Sequence, residues 1–480
     1  MKTSRRDVLK LAVAGGAVVG AGCARLAQSL PGDDLPASLA LPQADVHPVT
    51  RLLNRAAFGP RPGQVAEVES IGIDAWLDQQ LQADQAESPM LAVQLSRLDV
   101  WQEDPEDLVD LTQSELIRQL NQADLLHATY SQNQVLRRMV DLWQDHFNIY
   151  ALKGRGANRI GRVDYEVLAK DALTTFPQLL KAVAHSPAML AYLDNQLNVK
   201  GTANENYARE LMELHTLGVH GGYTQKDVEE VARCLTGWTF ERRFLHRKGT
   251  FRFDPDLHDD GQKIVLGHVI PAGGGESDGE TVLNILAAHP ATASFIAGKF
   301  CRYFLGDMDH PMRPQLAAVY QKTGGDIKSM LRPLFTSNAL LNGPSIAKRP
   351  FDFVVGALRV TAARSDCGGP VQDHLRDMGQ PLYEWPMPDG YPDRAAAWTG
   401  SLLARWNFAA ALAAGGVSGT SIDLNELKER SRQPTLLAAY TDVFLARNRP
   451  APDDDRLKQV AGDQARMAAL VLSSPEFQLR

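Results

Sequence analysis

An apolar period of three to four residues, broken only briefly, limits this chain to a helical fold. The pattern is cleanest after Ser131 and Gln134, whose spacing matches a capping box. Val135, Leu136, Met139, Val140, Leu142, Trp143 and Phe147 occupy one half of that wheel, with Arg137, Arg138, Asp141, Gln144, Asp145 and Asn148 opposite. His146 falls inside the apolar half. Residues 49–82 predict three short helices, punctuated at Gly59-Pro60 and Ile71-Gly72, and further helical runs follow at 108–130, 280–288, 291–304, 313–322, 326–334, 351–363 and 424–480. Alternation is confined to residues 250–254 and 263–266, on either side of a turn at 255–261, which predicts one small hairpin. The expected fold is therefore mainly α: a large multi-helix globular domain over residues 49–480 with a β-hairpin insertion at about 244–270. A second helical half is expected after the glycines of residues 272–275. With 480 residues, 44% of them hydrophobic, the chain has enough apolar surface for a large core.

Residues 192–240 hold the densest run of amides, carboxylates and histidine. Thr202 and Glu205 have capping-box spacing, so a helix of about four turns is expected from near Ala203 to Gly218. Tyr207, Ala208, Leu211, Met212 and Leu214 share one arc of it with His215 near the middle, and Asn206, Arg209, Glu210 and Glu213 lie on the other side. Thr224 and Asp227 open a second helix, in which Val228, Val231, Ala232, Leu235 and Trp238 recur at helical spacing. Two helices distant in sequence thus each send one histidine inward. Such a histidine needs a hydrogen-bond partner or a metal, and facing helices are a recurrent place for metal ligands. Glu210 and Glu213 are metal ligands or an acid/base pair on one reading, and exposed carboxylates with Arg209 paired to Glu213 on the other. His258 lies in the acidic turn between the two alternating runs. That turn imitates a calcium loop at Asp256, His258, Asp260 and Gly261, but Gly267 stands where the closing glutamate is required.

The first residues predict export. Ser4-Arg5-Arg6-Asp7 and the apolar, glycine-rich run after Leu11 form a twin-arginine signal ending near residue 27, followed by a proline-rich tether over 28–48. Gly20-Ala21-Gly22-Cys23 offers lipidation of Cys23 as the alternative to ordinary cleavage nearer Ala27. No later run approaches the ~20 apolar residues of a membrane span. A net charge of −7 argues against a nucleic-acid partner, the one later basic cluster (242–248) being short. Cys234, Cys301 and Cys367 lack metal-site spacing, and Cys234 is expected as a buried thiol. Phosphate-loop, serine-hydrolase, zincin and dinucleotide signatures are absent. Residues 380–398 set Tyr383, Trp385, Tyr391 and Trp398 among four prolines, either a stacking platform for sugars or a strap locking the core.

The chain resembles the bacterial domain of unknown function 1800 family. The likeness rests on Arg55-Ala-Ala-Phe-Gly59, Trp143-Gln-Asp-His-Phe147, the run from Asn204 to Gly218, Leu235-Thr-Gly-Trp238, His258-Asp259, Pro388-Asp-Gly-Tyr-Pro392 and Ser474-Pro-Glu-Phe477. The resemblance implies an exported protein, often encoded beside a member of the domain of unknown function 1501 family, and implies no activity. Gln144 departs from the histidine frequent at that place in the family.

The functional expectation is a metal- or haem-dependent periplasmic enzyme. His146, His215 and His258 are its metal ligands and Glu210 and Glu213 its catalytic carboxylates; Glu213 and His215, nearly opposite on one helix, do not suit a single site. The alternative is a non-catalytic envelope protein that binds glycan or the companion family's product.

Overall fold

The computed structural model describes residues 46–102, 108, 111–153, 162–241, 250–446 and 462–480. The expected signal, Cys23, the expected tether up to residue 45, the basic cluster and the start of the expected insertion lie outside the described residues. The protein is mainly α, 60% helical, with 23 helices and three two-stranded sheets among the described residues. The helices that position the site are α1 (Gln113–Tyr130), α2 (Gln134–His146), α3 (Phe176–Ala184), α4 (Asn206–Glu210), α5 (Gln225–Cys234), α6 (Ser277–Ala288), α7 (Pro290–Leu305) and α8 (Pro350–Val360).

Local sequence explains most of these boundaries. Thr224 and Asp227 form the expected reciprocal capping box of α5, with Thr224 Oγ1 accepting from Asp227 N at 3.2 Å and Asp227 Oδ2 from Thr224 N at 2.9 Å. Two other boxes do not form. Thr202 is drawn into a bridge with Val199, so α4 begins at Asn206, whose N–H bonds Asn204 Oδ1. Gln134 instead turns its amide back to the Ala128 and Ser131 carbonyls. Beyond α4 the chain widens into a π-helical turn, Leu211–Thr216. Leu217 N donates to Met212 O at 2.8 Å, and Thr216 Oγ1 also donates to the Leu211 carbonyl at 2.7 Å. Gly218 ends it in the left-handed region (φ 80°), where a Cβ would also strike the Phe295 ring.

The strands pair differently from expectation. Trp238 is in a strand and not in α5: β1 (Trp238–Phe240) pairs antiparallel with β2 (Phe251–Phe253), and β3 (Lys263–Val265) pairs with β4 (His268–Ile270). The turn at 255–261 therefore joins two separate ribbons. Its flanking runs do not pair because a nearer partner, across Leu266-Gly267, was available to β3. A third ribbon joins β5 (Arg364–Ser365) to β6 (Thr420–Ser421).

Apolar side chains collect in two clusters. One holds α2 to α7 and extends to Leu340; the other holds α1, α8 and the later helices. The glycines at 272–275 accordingly separate nothing, since α6 and α7 complete the first cluster. No single described helix is long and apolar enough to cross a membrane; the bent pair α6–α7 passes only jointly, at 63°.

Buried charges join the two clusters. Arg138 on α2 donates to Asp352 on α8, Arg349 donates to Asp141 and Asp145 on α2, and Tyr303 on α7 donates to Asp141. Arg480 reaches Tyr303 O at 3.0 Å and Asp352 Oδ2 at 3.4 Å. Although burial works against it, the guanidiniums of Arg138, Arg480 and Arg349 hold the Asp352 carboxyl far below the usual carboxylate range.

Candidate functional site

The polar side of α2 faces the proline-rich segment, which is latched over it. Asn148 Nδ2 donates to Trp385 O (3.0 Å) and Met387 O (2.7 Å), Tyr192 Oη donates to Pro386 O (2.9 Å), and Ala151 N donates to Tyr383 O (2.9 Å). Gly390, at φ 77°, lies so close to the Asp145 carbonyl that a Cβ would collide with it. Tyr391 and Trp398 are buried at 6% and 8% exposure, so the segment acts mainly as a strap, with Trp385 half-buried at its edge.

Between strap and helices is a cleft with about 610 Å³ of open space, its mouth included. Asp124 from α1, Asp141, Gln144 and Asp145 from α2, and Tyr383 and Tyr391 from the strap supply its polar wall. It therefore lies where the two apolar clusters meet. Tyr383 adopts φ 63°, uncommon for a bulky residue, and its hydroxyl donates to Asp124 Oδ2 at 2.6 Å. Gln144 Nε2 donates to the Tyr383 oxygen (2.9 Å) and to Asp124 Oδ2 (3.2 Å). Burial lifts the Asp124 carboxyl to about 7 in spite of these donors. Asp145 also stands near 7: burial and the neighbouring Asp141 and Asp393 outweigh the pull of Arg349. On α4, Glu210 is raised to about 7 by burial, then by Glu213 and by Asp389 of the strap. Arg209 pairs with Glu205 at 2.9 Å and Gln225, not with Glu213, against which the Tyr223 hydroxyl lies.

A model described as "Protein of unknown function (DUF1800)" matches residues 51–479. The chain belongs to the DUF1800 family. The match spans both apolar clusters and every wall of the cleft, and no curated protein and no solved structure matches the chain.

Within this DUF1800 domain the three expected histidine ligands part company. His146 and His215 meet, ring centroids 6.1 Å apart, and His146 Nε2 donates to the His215 carbonyl at 3.0 Å. Burial, then the Lys299 ammonium, lowers His215 to about 3 and His146 well below its ordinary value, so both rings are neutral. His146 Nδ1 and His215 Nε2 are buried and have no hydrogen-bond partner among the described residues. Trp143, Phe147, Phe176 and Phe295 wall the His146 ring at 4.4 to 6.2 Å, packing that leaves no face for a porphyrin. His258 is elsewhere, its Nδ1 donating to Thr236 O (2.8 Å) and its Nε2 3.3 Å from Asp278, which is ion-paired with Lys263 at 2.5 Å. It therefore cannot complete a site with the other two. Among the described residues, one trio of potential ligands brings its atoms within 4.8 Å of one another: His185, Glu276 and Glu280.

Two of these groups carry a signal in the DUF1800 sequence. Asp124 has Leu120 and Ala128 four residues away on either side, which places it on a buried face of α1. Glu276 and Glu280 share one face at the start of α6 by the same spacing.

Proposed function

We propose that this DUF1800 protein is an exported enzyme of the periplasm or cell envelope that transfers protons to and from a neutral, hydroxyl-rich substrate, of which envelope glycan is the fitting class. The observation that carries this reading is Asp124, 6% exposed in the cleft, fixed by Tyr383 and Gln144 and titrating near 7. Two carboxyl groups of one cleft that both titrate near neutrality supply a proton donor and a proton acceptor at the same pH. Asp124 is the donor in this scheme. Asp145, with Arg349 at hand as its counter-ion, is the acceptor. Glu210, which feels the charge of Asp389 of the strap, is a third carboxyl raised to about 7 and takes a secondary part in the scheme.

Purified protein incubated with cell-wall polysaccharide is expected to release new reducing ends. Asp124→Asn is expected to lower that rate by roughly 10²-fold or more, the usual contribution of a general acid, with Glu210→Gln having the smaller effect. Release unaltered in Asp124→Asn would refute the assignment. The half-buried Trp385, 4.9 Å from Tyr391, favours a second reading in which the cleft only binds glycan or the companion family's product. Polysaccharide binding lost in Trp385→Ala, without turnover in the wild type, would select it. A metal or haem centre on His146 and His215 is not our reading, because no His, Cys, Asp or Glu among the described residues completes a trio of ligand atoms with them.

A further inference from the structure

We propose that His185, Glu276 and Glu280 bind a first-row divalent cation of the zinc or manganese class, at a site separate from the cleft. His185 follows the last turn of α3, and the two glutamates stand at the start of α6. Their ligand atoms already lie within 4.8 Å of one another. A tetrahedral cation with bonds of about 2.1 Å needs them roughly 3.4 Å apart, so the His185–Glu280 pair must open slightly and Glu276 adjust by side-chain rotation.

The imidazole is prepared as a ligand. His185 Nδ1 donates to the Lys181 carbonyl at 2.7 Å, the outer-shell bond that fixes the tautomer of a metal-binding histidine and leaves the Nε2 lone pair outward. The ring is stacked on Trp238 at 4.7 Å and edged by Phe251 at 4.3 Å, so its direction is set. Nε2 stands 2.8 Å from Glu280 Oε1. Two lone pairs at that separation require a positive centre between them, either a proton or a cation.

Lys181 now supplies part of the positive charge, its Nζ 2.5 Å from Glu280 Oε2. That side chain is 54% exposed and can swing away. One imidazole and two carboxylates then neutralise a divalent ion, with coordination positions left for water. The mixed nitrogen and oxygen set suits zinc or manganese better than calcium, which takes oxygen alone. Bound there, the ion ties α3 to α6 beside the β1–β2 ribbon.

Full-length protein stripped with chelator and titrated with zinc chloride or manganese chloride by calorimetry should bind one ion per chain. His185→Ala and Glu280→Gln should each weaken binding by roughly tenfold or more. Lys181→Gln should leave it equal or tighter, and His268→Ala, on exposed β4, should leave it unchanged. The ion should also raise the melting temperature of the wild type and not of these two ligand variants. Glu276→Gln, at an exposed position, serves if either ligand variant fails to fold. Absence of stoichiometric binding, or binding that persists in the ligand variants, would overturn the site and leave the three side chains as a polar cluster closed by Lys181. Either result is independent of the reducing-end assay, which reads Asp124.

Discussion

Asp124→Asn should make the protein more stable at alkaline pH while lowering the proposed release of reducing ends. An unfolded aspartate titrates at ~3.9, whereas Asp124 in the fold stands near 7. The folded value is the higher one, so the contribution of this group to stability is complete below about pH 4 and is lost as pH rises through 7. The difference corresponds to roughly 4 kcal/mol, an upper bound, since solvent entering the opened cleft would weaken the burial that causes it. The variant keeps an amide oxygen to accept from Tyr383 and Gln144 but never ionises. Chemical unfolding followed by tryptophan fluorescence at pH 4.5, 6, 7 and 8.5 gives the difference between variant and wild type. That difference should be within about 1 kcal/mol at pH 4.5 and should grow to roughly 2 to 4 kcal/mol in favour of the variant at pH 8.5. Taking the difference cancels the titration of Asp145, which both proteins share. A difference that stays flat across this range would show that Asp124 ionises as an ordinary surface carboxylate, and the proton-donor assignment would fall with it.

Two further outcomes follow from the packing. Asp352→Ala leaves the buried guanidiniums of Arg138 and Arg480 without their shared carboxylate and should cost roughly 3 to 5 kcal/mol, whereas Asp78→Ala, at the exposed pair with Arg332, should cost less than about 1; urea midpoints of the two variants compare them directly. Gly390→Ala combines a left-handed backbone position with a collision at the Asp145 carbonyl, so it should lower the midpoint by the equivalent of about 1 to 3 kcal/mol and loosen the strap, seen as faster hydrogen exchange at Tyr383 to Tyr391.

Residues whose fate is decided by near neighbours were legible in the sequence. The α2 wheel, the α5 cap and the inward placement of His146 and His215 all depend on spacings of three or four residues. Where another segment competes, spacing fails: Thr202 bridges to Val199, and Trp238, expected at the end of a helix, lies in β1 and pairs with β2. The cleft was invisible for the same reason. Asp124 and Tyr383 are 259 positions apart, and nothing near either one announces the other. The π-helical turn was not legible either: burial there recurs every four residues, at 207/208, 211/212 and 215/216, and Leu214, expected on the apolar arc, is half-buried.

The charged seam is also completed late in synthesis. Arg138 leaves the ribosome 214 residues ahead of Asp352, its partner. Until α8 emerges, the nascent first half carries a cation that belongs in an interior not yet built, and its apolar surfaces cannot close around it. A holding factor that shields this interval would matter more here than in a protein of equal size whose buried ion pairs are local.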